Sequence, residues 1–264
     1  MSNSLLQSQI DAAQAYDSLF VPALFGQWTK RVVDASQLLT GQKALDVACG
    51  TGVLAQEMAS RVGVQGSIVA VDPNPGMLSV ARDNAPGINW QESAAENLPF
   101  PDQAFDAVLS QFGLMFFQNR AKSIGEMLRV LKHPGRLAVA VWDAIENIPG
   151  YAAELALIER LAGSAAAEAV RAPFVLGDRD FLRTLFLEAG AVSVEVTTLR
   201  GIARFPSIRT MVEAELRGWL PVMGVELSTE LVDNILPEAE SALAAYKTAD
   251  GTILFTHTSW KMRR

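Results

Sequence analysis

The chain is poor in the residues that build metal centres, covalent staples and proton relays. Of its 264 residues only Cys49 is a cysteine and only His133 and His257 are histidines. One cysteine excludes an intramolecular disulfide and a thiolate metal cluster, and no His/Cys/carboxylate constellation has metal-ligand spacing, so no metal is expected. Positive charge is also scarce. The formal net charge is −7, and no run of Lys and Arg exceeds the pairs Lys30-Arg31 and Arg263-Arg264, which argues against a nucleic-acid partner, since a phosphate backbone demands a basic stripe. No stretch approaches the roughly 18 uninterrupted apolar residues of a membrane span. The segment Met1-Ser2-Asn3-Ser4 lacks the basic-then-apolar order of a secretory leader, so the expected location is a reducing cytoplasm.

What the chain does have is apolar bulk, 50% hydrophobic against 19% charged, enough for one large domain with a deep core. It is organised around Ala44-Leu45-Asp46-Val47-Ala48-Cys49-Gly50-Thr51-Gly52. A short apolar run ends on an acid, two glycines follow, and Val53 to Ala59 have helical spacing. Strand, glycine turn and helix start together form a ligand site, because the backbone comes close and the helix offers unpaired N–H groups. Asp46 selects the ligand. A carboxylate repels a pyrophosphate and holds an ammonium through charge-assisted hydrogen bonds, so the turn suits a zwitterionic or cationic small molecule.

Upstream, residues 4–39 read as helical, with Leu5, Leu6, Ile10 and Ala13 on one face and a second segment opening at Pro22. Such a segment is a flank or a lid. Downstream, strands at 43–48, 67–72, 88–91, 105–109 and 136–142 alternate with helices at 53–62, 75–84 and 121–131, which predicts a parallel sheet covered on both faces. Pro75 suits the first turn of its helix. The second half turns helical: 150–170, 180–188 closed by Gly190, 207–219 after Ser207, and 228–247 after Ser228, with strands at 192–199 and 252–260. The helices at 150–170 and 205–247 are expected to form a cap.

Asp72 lies at the end of the second strand, where an acid accepts hydrogen bonds from both hydroxyls of a ribose. The bland alternative is an Asp that caps the helix after Pro73. Gly50-Thr51-Gly52-Val53-Leu54-Ala55 also fits the loose dinucleotide pattern G-x-G-x-x-A, which leaves an NAD(P)-dependent oxidoreductase as a second reading. Asp46, the Pro-Asn-Pro-Gly turn and the loop 92–106 oppose it.

LDVACGTG at 45–52, VDPNPGML at 71–78, AENLPFPDQAFDAV at 95–108 and EMLRVLKHPGRLAV at 126–139 resemble the class I S-adenosylmethionine-dependent methyltransferases. The similarity points to the small-molecule branch that includes the quinone-biosynthesis C-methyltransferases, and it covers roughly residues 10–145. The resemblance implies a doubly wound, Rossmann-like α/β fold: a seven-stranded sheet with its last strand antiparallel, an N-terminal helical lid and a C-terminal helical cap. It implies one methyltransferase domain, with residues 1–40 as lid, 41–145 as cofactor core, 146–250 as cap insertions with strand six, and 251–264 as last strand. It further implies that Asp46, Gly50, Gly52 and the backbone at Ala48 hold the methionine end of S-adenosylmethionine. Asp72 would bind the ribose, and Asn74 and Met77 would flank the adenine. Ala94, Ala95 and Glu96 would form the other adenine wall. Gln111 would face the methyl region, and Tyr16 with Trp28 would belong to the lid. Two positions depart from the family pattern. Ala48 replaces the first glycine of D-x-G-x-G-x-G, and Ala94 replaces a frequent adenine-binding Asp.

A sulfonium methyl is already an activated electrophile, so alignment carries most of the catalysis and a base is needed only for an acceptor proton of high pKa. His133 precedes the fifth strand and His257 falls mid-way along the last, so neither is expected to reach the methyl group. Cys49 reads as a packing residue. Asp143, just after the fifth strand, is the remaining candidate base. Phe112, Leu114, Met115, Phe116 and Phe117, with Trp142, Tyr151, Trp219, Leu220, Val222 and Met223, read mostly as packing and collectively favour an apolar or aromatic acceptor. The expectation is methyl transfer to such an acceptor by a cytoplasmic protein, with a homodimer in view. A non-catalytic S-adenosylmethionine-binding protein is the third reading.

Overall fold

The computed structural model describes residues 3–263, with side chains from 4 to 254. In chain order the elements are α1 (Asn3–Phe20), a π-helical turn (Val21–Phe25), α2 (Gly26–Ser36), β1 (Lys43–Val47), α3 (Val53–Val62), β2 (Ser67–Asp72), α4 (Pro75–Asn84), β3 (Asn89–Glu92), β4 (Phe105–Gln111), α5 (Arg120–Val130), β5 (Leu131–Trp142), α6 (Pro149–Ala162), α7 (Ser164–Arg171), α8 (Arg179–Glu188), β6 (Glu195–Phe205), α9 (Ile208–Ala214), a second π-helical turn (Glu215–Trp219), α10 (Leu220–Val222), α11 (Thr229–Ala242) and β7 (Ile253–Arg263). None of the described helices is long and apolar enough to cross a membrane.

The chain divides into two compact units. The first comprises Met1–Val141, Asp178–Leu199 and Trp260–Arg264. Its centre is a sheet in which β3, β2, β1, β4 and β5 lie side by side and every pair is parallel. Asp46 of β1 stands opposite Ala70 of β2 and Leu109 of β4. A parallel sheet is covered on both faces, which is why these strands read as near-continuous apolar runs: Leu45, Val47, Ala70, Val71, Val108, Leu109, Val139 and Val141 are all buried. Leu54 and Met58 of α3, Leu78 of α4 and Ile124 and Met127 of α5 close over them. At the N-terminal end of the sheet, Asp106 accepts from Lys43 N (2.9 Å) and from Lys132 Nζ (2.8 Å), while loops and helix starts carry the C-terminal end.

Pro22 does not open a separate helix. It lies in a π-helical turn between α1 and α2, where the inserted residue redirects the chain. α4 does begin at Pro75, and Gly190 (φ 102°) ends α8, with Ala191 N donating to Phe186 O at 3.0 Å.

The second unit comprises Trp142–Gly177 and Arg200–Ser259. Its expected helix at 150–170 is two helices, broken at Gly163 (φ 86°). Ser207 and Ser228 cap α9 and α11, accepting from Thr210 N (3.0 Å) and Leu231 N (3.2 Å). α11 stops at Ala242, short of its expected end, whereas α9 passes directly into the second π turn, so the chain is helical through Trp219.

Candidate functional site

The turn after β1 is held from three directions. Cys49 N donates to Val71 O at 3.0 Å, Gly52 N to Cys49 O at 2.9 Å, and Gly50 N to the Asp72 carboxylate at 2.9 Å. Three of its residues are left-handed: Ala48 (φ 60°), Gly50 (φ 54°) and Gly52 (φ 92°). That conformation is natural for glycine and costs an alanine about 1–2 kcal/mol. Gly113 receives the Ala48 methyl, since a Cβ on Gly113 would lie 2.6 Å from it. Gly50 faces open space, with nothing within 4 Å of an added Cβ, whereas a Cβ on Gly52 would strike the Trp90 ring. Gly50 is therefore the glycine that leaves room for a ligand, and Gly52 serves the start of α3 and its packing on β3.

Two carboxylates flank the turn. Asp72 is 8% exposed. Its Oδ2 accepts from Gly50 N and its Oδ1 from Asn74 N, both at 2.9 Å, so each oxygen keeps a lone pair for a further donor. Burial raises its pKa against those two N–H groups. Asp46 is 1% exposed. Burial, together with the Asp72 charge, pushes its pKa up to about 8, and the Ala55 N–H only partly opposes this.

Four buried polar atoms here have no hydrogen-bond partner: Asp46 Oδ2, Thr51 Oγ1, Ser110 Oγ and Gln111 Oε1. They come from β1, the turn after it and the end of the adjacent β4. Such atoms are costly unless something binds them. An acid of raised pKa with three unpartnered oxygen atoms fits a ligand bearing an ammonium and further donors. The residues present thus fit the methionine and ribose ends of S-adenosylmethionine.

The expected adenine wall is more fully engaged by the protein. The helix cap at α4 is Asn74, whose Oδ1 accepts from Gly76 N (2.8 Å) and Met77 N (3.2 Å), and not Asp72. Met77 is half-buried, Ala94 exposed and Ala95 buried, and Glu96 accepts from Asn119 N at 3.2 Å. The loop that carries them is fixed by residues whose role the sequence did not disclose. Arg129 of α5 donates to Leu98 O (3.0 Å), Phe100 O (2.7 Å) and Asp102 (2.9 Å), and Glu126 accepts from Arg129 and from Leu98 N (2.9 Å). The only available signal was the pair Glu126 and Arg129, three residues apart on one helix face.

The N-terminal helices come to the same end of the sheet. The α1 backbone at Gln9 lies so near Gly76 that a Cβ there would overlap it, and Asn84 Nδ2 donates to Asp17 at 3.2 Å. Burial and the Asp72 and Asp17 charges raise the pKa of the half-buried Tyr16. Tyr16 stacks on Phe25 (5.3 Å), Phe25 meets Phe112 (5.6 Å), and Phe112 meets the edge of Trp28 (5.9 Å). Gln111 Nε2 donates to Phe25 O at 3.3 Å. Trp28 is 1% exposed and carries Arg31 over its ring at 4.8 Å, which makes it an anchor of α2. Phe112, one of the cluster read mostly as packing, is bound into this aromatic row.

His133 is exposed at the start of β5, the end of the sheet away from Asp46, as expected. The His257 side chain lies outside the described residues. Cys49 is buried, and burial with the Asp46 and Asp72 charges pushes its thiol up, away from nucleophilic use. Asp143 belongs to the second unit, where it accepts from Ala144 N (2.7 Å) and Asn147 Nδ2 (3.1 Å). Among the described residues no group of His, Cys, Asp and Glu is arranged to hold a metal ion.

Comparison with known proteins agrees with this geometry. Residues 45–139 match the family profile described as a methyltransferase domain. The chain is 42% identical over 124 residues to the ubiquinone/menaquinone biosynthesis C-methyltransferase UbiE of Stenotrophomonas maltophilia (strain R551-3), covering 45% of this chain and 49% of that one. It is 34% identical over 188 residues to the demethylmenaquinone methyltransferase of Staphylococcus carnosus (strain TM300), covering 66% and 78%. The chain spans about half the length of the curated relatives it matches first. Among solved structures, a putative methyltransferase from an antibiotic biosynthesis pathway of Anabaena variabilis aligns over 89% of this chain and 96% of its own, with TM-score 0.66 and 19% identity. That likeness speaks for the α/β fold alone.

Proposed function

The chain belongs to the class I S-adenosylmethionine-dependent methyltransferases, and we propose that it transfers a methyl group from that cofactor to a small, apolar or aromatic acceptor. The observation that carries this reading is the buried Asp46, with an unpartnered oxygen, beside a glycine turn whose other flank is Asp72. Bound there, the cofactor supplies an electrophilic sulfonium methyl. Asp46 would receive its ammonium, Asp72 its ribose hydroxyls, and the backbone at Ala48 and Gly50 its methionine end. Gln111 would border the methyl region. Met77 and the segment Ala94, Ala95 and Glu96 would enclose the adenine, with Tyr16 above the ribose. For an acceptor whose attacking atom holds a proton of high pKa, Asp143 is the acid–base group of this reading.

We read the whole chain as one methyltransferase domain, with its N-terminal helices as lid and the helices after β5 as cap. Strands β7 and β6 are read as extending the sheet beyond β5, which the strand order β5-β7-β6 supports, and β7 is read as antiparallel. The relatives' names concern ubiquinone, menaquinone and demethylmenaquinone, so a reduced quinone ring is the acceptor to try first.

Calorimetric titration with S-adenosylmethionine, S-adenosylhomocysteine and NADH tests the cofactor. Micromolar binding of the two sulfur ligands alone is expected, and binding of NADH alone would replace this reading by the oxidoreductase one. Transfer of labelled methyl to demethylmenaquinol tests the acceptor and separates an enzyme from a protein that only binds the cofactor.

A further inference from the structure

The second unit buries acid that no cation among its described residues neutralises. Glu154 of α6 is 0% exposed, and neither of its carboxylate oxygens has a hydrogen-bond partner. Glu215, 8% exposed, is the first residue of the π-helical turn between α9 and α10. The charge that faces Glu154 is Glu215, and both face the buried hydroxyl of Tyr151, one turn before Glu154 on the same helix face. Among the described residues, no lysine, arginine or histidine contributes to the field at either acid. Four arginines of this unit are paired elsewhere: Arg160 with Glu238, Arg171 with Glu146, Arg209 with Glu240, and Arg217 with Glu213 and Asp233.

A buried carboxyl pair, one member of which has no hydrogen-bond partner, costs stability that an apolar pair of similar volume would not. A π turn placed at one of the acids is a further departure from regular helix, of the kind that recurs at functional sites. The turn is pinned by Trp219, whose Nε1 donates to Ala169 O at 2.7 Å. Aromatic surface adjoins the acids, because Tyr151 lies 5.2 Å from Phe174 and Phe174 lies 6.5 Å from Trp142.

We propose that Glu154 and Glu215, with Tyr151, form a ligand site of the second unit that takes a hydroxyl-bearing aromatic ring. The ring packs on aromatic side chains, and its hydroxyl bonds to the acid pair. A hydroxyl is favoured over an ammonium by the state of the acids. Burial and mutual repulsion hold Glu154 well above the ordinary carboxylate range, and burial pushes Glu215 up to about 7, so the pair retains protons near neutrality. Two buried carboxyls that face each other keep at least one proton between them, and a carboxyl that keeps its proton both donates and accepts, which matches a hydroxyl. Asp46 differs, because the Ala55 N–H supports its ionised form when an ammonium arrives. Identifying this ligand with the methyl acceptor rests on the methyltransferase reading. The site itself does not.

The test uses the full chain and three probes: 1-naphthol, 1-methoxynaphthalene, which lacks only the donor proton, and benzylamine as the ammonium. Binding is followed by Trp fluorescence, alongside a separate titration with S-adenosylhomocysteine. The expected result is that 1-naphthol binds at least tenfold more tightly than either other probe. Glu154→Leu and Glu215→Leu, which remove donor and acceptor together, each reduce naphthol binding about tenfold without weakening the methoxynaphthalene. Equal binding of naphthol and methoxynaphthalene, tighter binding of benzylamine, no binding of any probe, or unchanged naphthol binding in both variants overturns the proposal. The probe comparison on the unaltered chain decides even where a variant fails to fold. Failure of S-adenosylhomocysteine to bind, with naphthol discrimination intact, would instead overturn the methyltransferase reading and leave this site standing.

Discussion

At the scale of single residues, Asp46 is the most informative side chain. Its pKa of about 8 means that at pH 7 it holds a proton when no ligand is bound. An ammonium favours the ionised form, so binding should release a proton below pH 8, and affinity should tighten as pH rises from 6 toward 8, by at most about tenfold per pH unit. Above roughly pH 8 the α-amino group of the ligand loses its own charge, which closes the window. Asp46→Asn should weaken S-adenosylmethionine by about 1.5–3 kcal/mol, the range for hydrogen bonds to charged groups, and abolish the pH dependence. Titration in buffers of different ionisation enthalpy measures both, and an unchanged proton count in the variant would remove Asp46 from the site. Ala48 makes a second prediction. Its left-handed φ of 60° carries about 1–2 kcal/mol of strain, while glycine adds roughly 0.4–1 kcal/mol of chain entropy to the unfolded state. Ala48→Gly should therefore stabilise the protein by roughly 0.5 kcal/mol in urea unfolding, and a loss of stability would mean that the contact of its methyl with Gly113 outweighs the strain.

Elements were legible in the sequence where a local rule sufficed, and less so where two segments had to meet. The strand–turn–helix at 43–62, the Pro75 helix start, the Gly190 stop and the Ser207 and Ser228 caps follow from turn chemistry that the sequence carries openly. Asn74, expected to flank the adenine, also caps α4, because a side-chain carbonyl next to free N–H groups at a helix start is taken by the helix. The π turns at 21–25 and 215–219 left no trace in the periodicity, since one extra residue shifts a helix face without breaking its apolar pattern. Arg129 is the clearest omission, because its acceptors at Leu98 and Phe100 are some thirty positions away in sequence. Arg129→Met keeps the stem and removes the fork. It should cost about 1.5–3 kcal/mol in stability, given that charged hydrogen bonds to two loop carbonyls are lost, and it should expose the loop 98–103 to limited proteolysis. A loop as resistant as in the unaltered chain would show that the fork is not what holds it.

At the scale of the whole molecule, the buried acids act in one direction. Asp46, Asp72, Glu154 and Glu215 all have raised pKa values, to about 8 for Asp46 and about 7 for Glu215. Between pH 4 and pH 8 the folded chain therefore keeps protons that the unfolded chain, with ordinary carboxylates, has released. Stability then falls as pH rises: the contribution is complete below the unfolded value near pH 4 and is lost through the folded values near 7 and 8. The acids with lowered pKa values, Asp106, Glu126, Glu146 and Asp250, work in the opposite sense, but they lie close to solvent and count for less. The unligated protein should accordingly melt several degrees lower at pH 8.5 than at pH 5.5, the reverse of a protein held together by surface carboxylates, since about 1 kcal/mol shifts a chain of this size by a few degrees. Two interventions divide the effect by unit. Saturating S-adenosylhomocysteine should flatten the part due to Asp46, because its ammonium stabilises the ionised carboxylate, and Glu154→Gln with Glu215→Gln should flatten the part due to the second unit. Scanning calorimetry across pH measures all three slopes. A melting temperature that rises between pH 5.5 and 8.5 would mean that the buried acids are ionised and neutralised within the unligated fold, and the arguments from Asp46 and from the Glu154–Glu215 pair would both fall.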